Sequence, residues 1–322
     1  MNPADFFGES GLTIVAGKGG VGKTAVTSAM AVAASLEGLR TLVVEVEGKE
    51  AMASMFESGS LDYAELELVR AAESHAGVRA RTLTPDEALL DYLADHGLKR
   101  ISNRLVSSGL LDIIATAVPG IRDILVLGKV KQLERIDDQD VMLLDAPAAG
   151  HAISFLRSAS GLADAVRVGP INTQASEVLE LLDDPRRCRV VLVTLAEETP
   201  VNELIETAYS LEEDLGVSLG PVVVNGVLPE LDQLGVDPSE AAEDAGTHLS
   251  DEEADVLRRS SEFRLARRAV QDAQLARMAR ELPLPQIHLP ALFTTTLRRN
   301  EVECLAGSLL DGIATLDTAE GA

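Results

Sequence analysis

Glycine and lysine crowd one short stretch near the amino terminus, GKGGVGKT from Gly17 to Thr24. Without a Cβ, glycine lets the backbone wrap tightly and turn its N–H groups toward an anion, and a helix opening at the end of such a loop adds its positive end. The octet satisfies G-x-x-x-x-G-K-[ST], in which the lysine reaches the β- and γ-phosphates of a nucleotide and the hydroxyl ligates Mg²⁺. Gly17, Gly19, Gly20, Val21, Gly22 and Ala25 are therefore expected to supply backbone contacts, Lys23 the positive charge at the reacting phosphates, and Thr24 an oxygen for the metal. Lys18 exceeds the pattern, which asks for one lysine only. A second oxygen for the metal is expected from Asp145, near the end of the run VMLLDAP. A carboxylate at the carboxyl edge of a sheet can hold Mg²⁺ through water, and ligands gather at that edge in open α/β sheets.

These groups must be carried by strands that end, and helices that begin, beside one another. Six short runs rich in Val, Ile and Leu meet the first need: LTIVAG, RTLVVEVE, VMLLDAP, CRVVLVTLAE, GPVVVNGV and PQIHLP. They fit strands buried on both faces, as in a parallel sheet, better than half-solvated ones. Helical patterns lie between them, starting with TAVTSAMAVAASLEG directly after the phosphate loop. Between Thr199 and Leu215, Val201, Leu204, Ile205, Ala208, Leu211 and Leu215 form one apolar stripe. Thr199 is the expected N-cap, Pro200 the first helical residue and Gly216 the stop. Strand, helix, strand in that order predicts an α/β fold, a doubly wound and mostly parallel sheet of the P-loop NTPase type. We expect a single domain over 1–322, with a helical insertion at 83–139 and a second at 228–282. The second contains seven arginines among many acids, the pattern of a salt-bridged solvated helix face.

The string KGGxGKT resembles the deviant Walker A motif of the family that includes ArsA, MinD, ParA and the nitrogenase iron protein. DAPAAGH, from Asp145 to His151, resembles the switch II motif DTAPTGH of the ArsA-type branch. With the matches below, the resemblance runs from Gly11 to about Pro290. It implies ATP and Mg²⁺ as ligands and two subunits that face each other, with Lys18 crossing to the nucleotide of the opposite subunit and acting there as an arginine finger does. It implies that Glu47, where the family has the aspartate of DPAH, positions or activates the attacking water. Asn225 in VVVNGV matches the asparagine that reads adenine, and Pro290 in HLPALF a proline that borders the adenine pocket. The segments VEVEG and VPGIRDILVLGKVK are similar to actinobacterial single-domain proteins whose genes occur as paralogous pairs. A homodimer and a heterodimer with a paralogous ATPase are both left open. So is the client, with membrane proteins among the candidates.

The implied function is a cytoplasmic Mg-dependent ATP hydrolase whose hydrolysis is coupled to dimer opening. Two alternatives remain: a targeting factor for apolar tail-anchor helices, and a nucleotide-binding subunit that supports a catalytic paralogue. The sequence departs from the known cargo chemistries of the family. Cys188 and Cys304 are the only cysteines, so a thiol trio for a soft metalloid is missing, and RRSSEF stands where a zinc-binding CxxC pair would lie, so no zinc is expected. Six methionines do not make a flexible Met-lined groove; Leu105, Leu110, Leu111, Ile113, Ile114, Ile124, Leu125, Val126 and Leu127 could line one, but such residues more often pack a helical subdomain. A formal charge of −24 repels phosphate backbones, so nucleic acid is not an expected partner. The amino terminus, MNPADFFGES, has no basic region followed by an apolar core, and no apolar run reaches the ~18 residues of a membrane span.

Overall fold

A computed structural model of the chain describes residues 1–46, 50–95, 97, 120–136, 138–147, 149–165 and 168–316. Glu47 and the stretch 98–119 lie outside the described residues. The strands are β1 Leu12–Gly17, β2 Thr41–Val46, β3 Leu66–Val69, β4 Val78–Leu83, β5 Val141–Asp145, β6 Cys188–Leu195, β7 Val222–Val227 and β8 Gln286–Pro290. They form one sheet in the order β3-β4-β2-β5-β1-β6-β7-β8. Every neighbouring pair is parallel except β3 with β4.

The six runs read from the sequence are all strands, and β1 and β2 are buried at every position. Two strands escaped that reading. In β4, VRARTL, the arginines break the apolar run that marks a central strand. The structure gives both partners: Arg79 pairs with Glu65 at 2.7 Å and Asp138 at 2.9 Å, while the Arg81 guanidinium lies 3.7 Å from Glu65 and 4.6 Å from the centre of the Tyr63 ring. Val78 and Ala80, on the opposite side of the strand, are fully buried. β3 is a four-residue edge strand, too short to announce itself.

Helices cover both faces. On one side α1 (Pro3–Gly8), α2 (Lys23–Leu36), α3 (Glu50–Met55) and α11 (Arg299–Ala314) enclose one apolar cluster. On the other, α5 (Ile121–Glu134), α6 (Ala149–Ala165), α7 (Pro170–Asp183) and α8 (Glu198–Leu215) enclose a second. This is the doubly wound architecture. The described part of 83–139 holds α4 (Pro85–Asp95) and α5, and 228–282 holds α9 (Pro238–Asp244) and α10 (Asp251–Glu281). Ile124, Leu125, Val126 and Leu127 of α5 are buried against the sheet and its neighbours, so these four residues pack the helical layer and line no groove.

α8 begins two residues earlier than expected. Glu197 occupies the cap position without a side-chain capping bond, so Thr199 is already helical. Pro200 then sits third in the helix, where its missing N–H leaves no intrahelical bond unmade. Gly216 ends the helix at φ 63°, the left-handed conformation a C-terminal glycine supplies.

Candidate functional site

The sheet order puts β1 in the middle, between β5 and β6, so the loop leaving β1 is flanked by the ends of both. Gly17 closes the strand against β6. A Cβ there would sit 2.2 Å from the Val193 carbonyl oxygen, so only glycine lets the backbones approach this closely. Gly20 and Gly22 have φ of 88° and 91°, the left-handed region that turns the loop back on itself. α2 opens at Lys23 with Gly22 as its cap and no side chain accepting from its first turn. The positive end of a helix that opens on a glycine-rich loop fits a phosphate.

The Lys23 ammonium, 8% exposed, donates to the carbonyl oxygens of Gly17 and Lys18, both at 3.0 Å. It spans the loop from inside. The Thr24 hydroxyl donates to the Asp145 carboxylate at 2.7 Å, joining residues 121 positions apart. Asp145 is fully buried, at the carboxyl end of β5. The two expected metal oxygens are thus in direct contact, and the donor set, one hydroxyl and one carboxylate, suits a hard oxygen-seeking ion such as Mg²⁺. Val21 and Ala25 turn their side chains into the core, leaving their backbones to line the loop.

Asn225 is drawn into the same structure. Its side-chain amide donates to the Val21 carbonyl at 3.0 Å, and a Cβ on Gly22 would lie 2.3 Å from that amide nitrogen. The residue expected to read a base therefore also braces the phosphate loop. Pro290 ends β8, in register with Val227 two residues beyond Asn225. Glu47 lies outside the described residues.

Two acids complete the surroundings that sequence reasoning passed over. Glu203 of α8 accepts from the Lys18 ammonium at 2.5 Å, so the surplus lysine is held by its own chain. In the sequence Glu203 is one polar residue on an amphipathic helix, and nothing local distinguishes it. Glu45 is fully buried in β2, in register with Asp145, and accepts from the Thr82 hydroxyl at 3.4 Å. A carboxylate inside a strand buried on both faces was the available signal for it.

Comparison with known proteins accords with this geometry. The family model for anion-transporting ATPases matches residues 11–168, which contain β1, the phosphate loop and Asp145. The ATPase BagA of Mycobacterium tuberculosis is 33% identical over 225 residues, 68% of this chain and 65% of BagA. The chain is similar to ArsA-like ATPases. Other relatives are more distant. The arsenical pump-driving ATPase of Acidiphilium multivorum is 27% identical over 240 residues, 66% of this chain and 39% of that protein. The ATPase get3 of Schizosaccharomyces japonicus is 25% identical over 173 residues, 51% of each. The aligned stretch thus spans just under two thirds of BagA and about two fifths of the pump ATPase. In this ArsA-like chain, no described helix is long and apolar enough to cross a membrane.

Proposed function

We propose that this ArsA-like chain is a cytoplasmic Mg-dependent ATP hydrolase that turns over when two chains face each other. The observation that carries the reading is the contact of the Thr24 hydroxyl with Asp145 at the mouth of the loop spanned by Lys23. Mg²⁺, when bound, would supply positive charge against the charge that develops on the transferring phosphoryl group. Thr24 and Asp145 would hold the ion. Lys23 would exchange the Gly17 and Lys18 carbonyls for phosphate oxygens, and backbone N–H groups of the loop and the first turn of α2 would bind the remainder. Asn225 would fix the loop while meeting the adenine edge, with Pro290 beside it. Glu47 would orient the water.

Lys18 is engaged with Glu203 of its own chain. In our reading it leaves Glu203 on closure and stabilises charge on the nucleotide of the facing chain. ATP then favours the closed pair, hydrolysis reopens it, and the helices of 83–139 and 228–282 pass the change to a client. The facing chain is a second copy or a paralogous ATPase.

The test is ATP turnover per subunit against protein concentration, alone and mixed with a paralogue. Turnover that rises with concentration for the single protein supports a homodimer, and activity confined to the mixture supports a heterodimer. Lys18→Ala is expected to bind ATP normally and to lose turnover. Unchanged steady-state turnover in that variant would sink the role given to Lys18.

A further inference from the structure

The sheet has a second concavity at the end opposite the phosphate loop. Strands β1 and β6 run parallel, so the loop leaves their carboxyl ends while their amino ends lie beside Phe6 of α1. A cavity of about 610 Å³ opens there, within the range that small-molecule sites occupy. Its lining is mostly apolar. Phe6, Leu219 and Leu316 contribute to it, together with Pro185, Pro221 and Pro285, which stand where the chain enters β6, β7 and β8. Proline has no N–H, so these three entries bring apolar rings to the cavity and no backbone donor. The walls are tied down: the Met1 ammonium donates to the Leu316 carbonyl at 2.8 Å, and the Gly220 and Val222 N–H groups donate to the Val190 and Pro285 carbonyls, both at 2.8 Å.

One buried cation is set in this lining. Arg189, the second residue of β6, is 5% exposed, and its guanidinium lies 4.0 Å from the centre of the Phe6 ring. It donates to the Phe6 carbonyl at 2.6 Å, the Glu9 carboxylate at 3.1 Å and the Thr13 hydroxyl at 3.2 Å. A guanidinium has five N–H groups, so part of its donor capacity has no acceptor among the described residues. Burial pushes Arg189 down to about 10, which leaves it charged at neutral pH. Its counter-charge is poorly placed, because the Glu9 side chain is 57% exposed and water screens the pair. A carboxylate carried in by an apolar body that fills the cavity would meet the same cation away from water, where a charge-assisted bond is stronger. Phosphate suits the cavity less, since one buried guanidinium balances one charge and the prolines would desolvate the other oxygens without donating to them. Arg186 also lines the cavity but keeps its side chain 89% exposed, so it attracts an anion without balancing one inside.

We propose that this cavity binds a small monocarboxylate with an apolar body, its carboxylate on Arg189 in place of Glu9 and its body against Phe6 and the three prolines. The site is separate from the phosphate loop and does not depend on the reading of the chain as an ATPase.

Isothermal titration calorimetry of the nucleotide-free full chain with octanoate should show saturable one-to-one binding. 1-Octanol, which keeps the apolar body and lacks the charge, should bind about tenfold more weakly or worse, the loss expected for a hydrogen bond to a charged group. Arg189→Met should weaken octanoate binding by a similar factor. Because Arg189 also braces Thr13 and Phe6, a second variant keeps the cation in place: Glu9→Gln removes the competing carboxylate and should tighten octanoate binding by roughly 1.5- to 5-fold. If Arg189→Met does not fold, Glu9→Gln decides. Four results would overturn the proposal: no saturable binding of octanoate, 1-octanol bound as tightly as octanoate, a folded Arg189→Met protein with undiminished affinity, or a Glu9→Gln protein that binds octanoate no more tightly than the parent.

Discussion

Glu203→Gln removes the carboxylate that holds Lys18 and leaves a neutral side chain of the same size. The pair is close, 2.5 Å, but its two side chains are 34% and 40% exposed, so water screens it. Ion pairs of this kind are worth about 0.2–1 kcal/mol. A symmetric closed dimer must release two such lysines, so the variant should favour closure by about 0.4–2 kcal/mol, roughly a 2- to 30-fold gain in the association constant. The assay is ATP turnover per subunit over a dilution series. In Glu203→Gln the half-maximal protein concentration should fall by that factor, and the plateau rate should stay that of the parent protein. Raising the salt should shrink the difference, because it weakens the exposed pair in the parent. A midpoint that stays put or rises would refute the idea that Glu203 restrains Lys18. A plateau lost as fully as in Lys18→Ala would instead place Glu203 in the closed state.

Two further outcomes follow from the same coordinates. Gly22→Ala forces a Cβ to within 2.3 Å of the Asn225 amide at a φ of 91°, so it should abolish detectable binding of a fluorescent ATP analogue while the fold, read by circular dichroism, persists; binding as tight as the parent's would refute the account of the loop. Burial pushes the Cys188 thiol up to about 12, whereas Cys304 is exposed. A thiol with a raised pKa holds less of the reactive thiolate at any lower pH. Native protein at pH 8 should therefore take up one equivalent of a thiol reagent and denatured protein two, and two equivalents in the native state would refute the burial of Cys188.

Much of the phosphate loop was legible because its requirements are local. Positive φ at Gly20 and Gly22, a strand that ends and a helix that begins are set within a dozen residues, and glycine spacing reports them directly. The apolar runs gave six strands for a similar reason: a strand covered on both faces has no polar positions to spare. β4 was missed because its two arginines are neutralised by Glu65, Asp138 and the Tyr63 ring, partners that no window around Val78–Leu83 contains. The site shows the same division. Lys23, Thr24 and Asp145 follow from residue type and strand ends, yet the Lys18–Glu203 pair joins positions 185 apart and the Asn225–Val21 bond positions 204 apart. Both exist because crossovers lay β6 beside β1 and β7 beside β6, bringing α8 and the end of β7 to the loop. Local propensity and periodicity thus determined which elements form and where phosphate would bind. The order in which the strands pack decided which distant side chains hold the loop and its second lysine, since hydrogen bonds and ion pairs act over a few ångströms of space whatever the separation along the chain.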